Sequence, residues 1–175
     1  ITIDSDNHFV KSHIVNKRGS KVAILGIMDP YAVKYYSDEI KEKIKLNNPI
    51  DAVKSEMEIL KNKADIFVLL THQGADLDVA FAEKVKGIDV IVGSHSQSAM
   101  DEPKEVNGTL IVQAGKEGYY VGTVEMVLKG KEVVSKTGDT ELTNNGLESY
   151  GVLAKYSFKP QKKWHYSAEV SYRNT

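Results

Sequence analysis

Three short, largely apolar runs, Val22–Ile27, Ile66–Leu70 and Ile88–Val92, the last interrupted only by Asp89, constrain this chain more than any other feature. A run of Val, Ile and Leu without polar alternation must be covered on both faces, as in the central strands of a parallel sheet. Between the first two runs, Asn48-Pro49 supplies a cap and a first helical residue, and Ile50, Val53, Met57 and Leu60 then recur along one face. Lys54, Glu58 and Lys61 take the other side. Between the second and third runs, Leu77, Phe81 and Val85 recur at a spacing of four until Gly87 stops them. Strand, helix, strand, helix, strand predicts a parallel α/β core, whose ligand-binding groups gather beyond the carboxyl ends of the strands. His72 and the segment Ser94–Gln97 lie at two such ends.

The flanks read differently. Phe9, Val10, Ile14 and Val15 precede the turn signal Lys17-Arg18-Gly19-Ser20, predicting a strand before the first buried one. Asp29-Pro30 breaks that buried strand and leads through Tyr31–Tyr36 to a short helix starting at Ser37-Asp38-Glu39. After residue 100 the chain turns to strands: Val106-Asn107-Gly108-Thr109 as a tight turn, Leu110–Val112, and Tyr120–Leu128 turning at Lys129-Gly130 into Glu132-Val133-Val134. Trp164, Tyr166, Ala168, Val170 and Tyr172 alternate as a half-exposed strand would. The cluster Thr143-Asn144-Asn145-Gly146 divides residues 1–142 from a tail or following segment, 143–175.

Composition removes several classes. With 23 Lys+Arg against 24 Asp+Glu the net charge is -1, so no global field recruits nucleic acid. No apolar run approaches the roughly 18 residues of a membrane-spanning helix. The absence of cysteine excludes disulfides, a thiolate nucleophile and Cys-ligated zinc. The chain opens at Ile1 without Met or a basic-plus-apolar leader, and an internal fragment is the favoured reading of that opening.

Two segments carry chemistry, Leu70-Thr71-His72-Gln73-Gly74 and Val92-Gly93-Ser94-His95-Ser96-Gln97-Ser98. A metal needs ligands converging from different segments, and imidazole nitrogens and an amide oxygen at adjacent strand ends supply that. In extended backbone, residues two apart point to one side, so the His95 ring and the Gln97 amide are expected to face one cavity with His72. The competing reading is a polar loop in which Ser94, Ser96 and Ser98 satisfy backbone groups.

These strings, together with Gly87–Gln97 and Asn107–Gly115, resemble the calcineurin-like metallophosphoesterase domain of 5'-nucleotidases, in order and in spacing. Lys21–Ile27 resembles the strand before that family's connector and Tyr119–Glu125 its closing strand, so that the resemblance covers about residues 9 to 142, the carboxyl-terminal half of the domain. It implies part of a four-layer α-β-β-α sandwich, a parallel βαβ core followed by antiparallel strands, and a phosphoric ester hydrolase using two divalent metals, Zn or Mn, on a nucleotide or other phosphate ester. Carried over, His72 and His95 would ligate one metal and Gln97 would stand at the last ligand of the other. Many relatives have His there; some exported nucleotidases resemble this chain in having Gln. Ser94 departs from the second Gly common in the motif. Periplasmic or extracellular location is implied by the resemblance alone.

The family's Asp-x-His pair, its Gly-Asp with the bridging carboxylate and its Gly-Asn-His-Glu loop, which holds the transition-state His, have no counterpart in the 175 residues. Asp6-Asn7-His8 superficially echoes a ligand pair, but precedes the Phe9 strand, where the family has a connector. Two divalent cations about 3.5–4 Å apart need anionic, usually bridging, ligands, which two imidazoles and an amide do not replace. The chain alone is therefore expected to bind at most one metal weakly and to contain no catalytic residue. The alternative is a non-catalytic module on the same fold, paired with a protein partner or with the remainder of the domain.

The remaining features have plainer readings. Tyr31, Tyr35 and Tyr36 are expected to cap a core edge rather than line a substrate cleft. Trp164, Tyr166 and Tyr172 suit an ordinary half-buried strand, Lys159, Lys162, Lys163 and Arg173 a solvated surface, and Lys116-Glu117 a plain turn.

Overall fold

The computed structural model describes residues 2–3, 10–17, 19–142, 151–159 and 163–171. In chain order its elements are β1 (Thr2–Ile3), β2 (Ser12–Lys17), β3 (Ser20–Met28), a 3-10 turn (Pro30–Tyr35), α1 (Asp38–Glu42), β4 (Ile44–Lys45), α2 (Pro49–Leu60), β5 (Ile66–His72), α3 (Ala75–Lys84) and β6 (Val90–Val92). They continue with β7 (Lys104–Val106), β8 (Thr109–Val112), β9 (Tyr120–Lys129), β10 (Glu132–Leu142), β11 (Gly151–Lys159) and β12 (Lys163–Ser171).

The apolar runs form the middle of a six-stranded sheet of order β2-β3-β5-β6-β8-β7. β3, β5, β6 and β8 run parallel, with Leu25 opposite Leu69, Leu69 opposite Ile91 and Ile91 opposite Ile111. Both flanking strands are antiparallel hairpin partners. The β7–β8 turn matches its sequence signal, since Asn107 and Gly108 both take positive φ, at 51° and 79°, as the preferred two-residue hairpin turn requires. A second sheet, of order β10-β9-β12-β11, is antiparallel.

Alternation along the parallel strands divides the core in two. Ala23, Leu25, Leu69, Ile91 and Ile111 face α2 and α3, meeting Val53, Leu60, Phe81 and Ala82. Val22, Ile66, Val90 and Leu110 face the second sheet and meet Val124, Met126 and Leu128 of β9. The described residues thus form three layers, helices, mixed sheet and antiparallel sheet, which is the expected parallel core with an antiparallel flank.

α2 obeys its sequence pattern. The Asn48 side chain accepts from the Ile50 and Asp51 N–H groups, Pro49 opens the helix, and Val53 and Leu60 are buried. α3 and the residue after it bury Phe81 and Val85 of the expected stripe but not Leu77. Its inward residues are Ala75, Asp78, Phe81 and Ala82, Leu77 is 50% exposed, and Val85 is buried just past the last turn. The face is rotated because small residues let α3 lie close to the sheet, placing a carboxyl on the inside.

The tyrosine connector also departs from expectation. Tyr31 and Tyr35 are 63% and 79% exposed, while Val33 is the buried residue of the turn. In a 3-10 turn, residues three apart eclipse, which stacks the Lys34 ammonium 3.5 Å from the Tyr31 ring centroid and 4.8 Å from that of Tyr35. These rings face solvent and a cation instead of capping the core.

Phe9, Asp6–His8, the boundary cluster 143–146, Lys162, Tyr172 and Arg173 lie outside the described residues. Trp164 and Tyr166 fall on β12, which pairs with β9.

One ion pair locks the amino-terminal end of β5 to the rest. Asp65 accepts from the Lys21 N–H at 2.9 Å and pairs with Lys131 at 3.1 Å. Burial works to raise its pKa, but the Lys21 N–H and the Lys131 charge outweigh it and hold the carboxyl below its ordinary value. A lowered folded-state pKa contributes stability that is fully present above the unfolded value and is lost as pH falls through the folded one. Asp65→Asn should accordingly be less stable than wild type at pH 7, with the gap closing as pH falls below the ordinary carboxylate range. Denaturant melts across that range check it, and a gap independent of pH would remove this ion pair from the account.

Candidate metal site

His72 is the last residue of β5, and the loop after β6 carries Ser94–Ser98 beside it. The parallel registers of β3, β5, β6 and β8 bring these carboxyl ends together. Backbone bonds then stitch the loops: Asp29 N–H to His72 O at 3.1 Å, Gly74 N–H to Ser94 O at 3.0 Å, and Gly115 N–H to Ser98 O at 2.8 Å. The last of these sets the Gly115–Gly118 turn, with Lys116 and Glu117, against the loop.

The two histidines meet edge to face, with ring centroids 5.0 Å apart and planes at 75°. His95 Nδ1 lies 3.3 Å from His72 Nε2. Both rings, and Gln97, are exposed. His95 and Gln97 take positive φ, 82° and 56°, a region that costs a non-glycine residue energy and that clusters at functional sites. The expected extended backbone over 95–97 is therefore incorrect. His95 reaches His72 because the chain coils left-handed there, and same-side alternation does not govern where Gln97 points.

Serines hold this coiled loop in place. The Ser94 hydroxyl donates to Thr71 O at 2.7 Å and lies 2.9 Å from His72 Nδ1. Its one proton is used on Thr71, so it accepts from Nδ1–H, which leaves the His72 Nε2 lone pair facing His95. Ser96 donates to Gln113 Oε1 at 2.8 Å and accepts from the Ala75 N–H at 3.2 Å, and Ser98 donates to Ser96 at 3.1 Å. The serines of the polar-loop reading thus fix the left-handed segment that carries His95. Ser94, where the family motif commonly has Gly, acts through its side chain.

Beneath the loop sits a buried polar layer that sequence reasoning missed. Asp78 is fully buried, and its Oδ1 accepts from Gln73 Nε2 at 2.9 Å. Its Oδ2 has no hydrogen-bond partner and lies against Gly93, where a Cβ would collide with it. Burial pushes the carboxyl above its ordinary pKa; the Gln73 bond and the nearby Thr71 hydroxyl, which falls short of hydrogen-bond geometry, offset part of that rise. The available signal was the residue type at an inward position of α3, but an Asp in a first turn reads as a solvated dipole partner.

Among the described residues no group of three or more His, Cys, Asp or Glu converges. The donor set built here is an imidazole pair.

No protein-family model matches the chain. It is 35% identical to the uncharacterized metallophosphoesterase YunD of Bacillus subtilis (strain 168) over 127 residues, covering 71% of this chain and 27% of YunD. It is 30% identical to the 5'-nucleotidase of Vibrio cholerae over 156 residues, covering 71% and 28%. The crystal structure of a 5'-nucleotidase precursor from Thermus thermophilus superposes with a TM-score of 0.67 at 26% identity, covering 77% of this chain and 30% of that one. The chain therefore spans under a third of the length of these relatives.

Fold and sequence relatives together define the class as calcineurin-like metallophosphoesterases. Within it, the chain belongs to the 5'-nucleotidase family.

Proposed function

We propose that the chain supplies half of a metal-dependent phosphoester hydrolase site, with His72 and His95 holding one divalent ion, Gln97 at the last ligand position of a second, and a nucleotide or related phosphate ester as substrate. The observation that carries this is the 3.3 Å between His72 Nε2 and His95 Nδ1. Two nitrogens each about 2.0–2.1 Å from one zinc at the tetrahedral angle are about 3.3–3.4 Å apart. The 3.3 Å is also the hydrogen bond in which His95 Nδ1–H donates to His72 Nε2, so an ion would take the place of that proton between two nitrogens already at ligand spacing, and the Ser94 contact on Nδ1 keeps the His72 Nε2 lone pair for it.

The ion's contribution would be Lewis-acid polarisation of a phosphoryl oxygen and a hydroxide at neutral pH. The chain's own residues hold and orient: Ser94 fixes the His72 tautomer, and Ser96 and Ser98 keep His95 and Gln97 in left-handed backbone. Neutral imidazole and amide donors suit Zn or Mn. The bridging carboxylate and the transition-state His would come from residues outside these 175. Following the family resemblance, we place the reaction in the periplasm or outside the cell; among the described residues no helix is long and apolar enough to cross a membrane.

The test is elemental mass spectrometry on the purified chain, paired with hydrolysis of a generic phosphomonoester in added Mn or Zn. At most one weakly held ion per chain and no turnover above a metal-only blank are expected. Two tightly held metals with turnover that disappears in His95→Ala would show that the chain is a complete enzyme and overturn the half-site reading.

A further inference from the structure

We propose that Asp78 is a positioning residue of the histidine site, acting through Gln73 and Gly93; this rests on the metal-site reading above. One fully buried carboxyl touches both segments that carry the imidazoles. Its Oδ1 takes the Gln73 amide proton at 2.9 Å, fixing the residue that follows His72. Its Oδ2 fills the space over Gly93, two residues before His95, where even a methyl group would collide. Gln73 is itself buried, so Asp78 decides how that amide lies. Gly74, which follows it, then donates to Ser94 O at 3.0 Å. The backbone on either side of Gln73 is in this way tied to the strand end of one histidine and to the loop of the other.

The carboxyl satisfies the buried Gln73 amide, and the positioning role is what the experiment below separates from that. Burying a carboxyl with one oxygen lacking a donor is costly, and an apolar side chain at this inward α3 position would avoid that cost. What an apolar residue cannot do is accept from Gln73. Groups that orient metal-ligating residues from behind typically change metal affinity by about 10–100-fold when removed.

The experiment uses the full-length protein, stripped of metal and titrated with Zn or Mn against a competing chelator. Asp78→Ala should weaken binding by about 10–100-fold. Asp78→Asn keeps an acceptor for Gln73 and the bulk over Gly93, and should stay close to wild type. Gln73→Leu, which removes the donor, should reproduce the Ala loss and serves in its place if Asp78→Ala does not fold. A second readout needs no metal: the ring nitrogen NMR shifts of His72 and His95 in the metal-free protein should move in Asp78→Ala and not in Asp78→Asn. Wild-type affinity and unmoved ring signals in a folded Asp78→Ala would overturn the inference, as would an Asn variant as weak as the Ala one. Wild-type protein that takes up no metal at these histidines would instead overturn the metal-site reading, and the ring shifts then decide on Asp78 alone.

Discussion

Replacing His95 with alanine in the full-length protein should remove metal-dependent phosphoester hydrolysis and lower metal affinity by more than the 10–100-fold expected for a supporting group. His95 is one of two imidazoles spaced as ligands of one ion, and its position cannot be taken over by a neighbour. Ser94 is committed to Thr71 and His72, and Ser96 to Gln113 and Ala75. The residue also occupies a left-handed conformation, φ 82°, in a loop held by the bonds of its serines. Alanine there should leave the stitching intact, so loss of metal without loss of melting temperature is the expected signature. Measuring both on the same preparation checks the assignment. Unchanged metal affinity in a folded His95→Ala would remove His95 from the site, and a collapse in melting temperature would make its role structural.

The strands that carry this site were legible because a doubly covered strand admits little besides Val, Ile and Leu. His72 was legible for a related reason, since a polar residue closing such a run must lie at the sheet's carboxyl edge. The meeting of His95 with His72 was not. It depends on positive φ at His95 and Gln97, which no residue type in Ser94–Ser98 announces, and extended-strand reasoning therefore assigned the wrong local geometry to this segment. The face of α3 failed differently. Spacing favoured Leu77, Phe81 and Val85; packing kept the last two and replaced Leu77 with Ala75, Asp78 and Ala82, because a close helix–sheet approach over Gly93 rewards small side chains and a carboxyl that has a partner in Gln73. An acid inside a fold is readable only from its neighbours in space, and those come from β5 and the β6 loop.

Gly93→Ala should be strongly destabilising although its backbone is one that alanine adopts freely. A Cβ there collides with Asp78 Oδ2 and sits 3.5 Å from Val112 O. Neither side yields easily. The Gly93 N–H is bonded to Val112 O at 2.8 Å, and the Asp78 carboxyl is held by Gln73 in a fully buried position. Overpacking of this kind costs about 1–3 kcal/mol, and at about 2–4 °C per kcal/mol for a domain of this size the melting temperature should fall by several degrees. The cause is the carboxyl oxygen and not the backbone, because φ at Gly93 is not positive. Introducing Gly93→Ala into an Asp78→Ala background should therefore cost much less, the remaining Val112 O contact being an ordinary van der Waals distance. A coupling of about 0.5–3 kcal/mol between the two changes is expected in the double-mutant cycle. Equal destabilisation by Gly93→Ala in both backgrounds would mean that the collision is with the sheet, and that Asp78 does not hold the β6 loop in place.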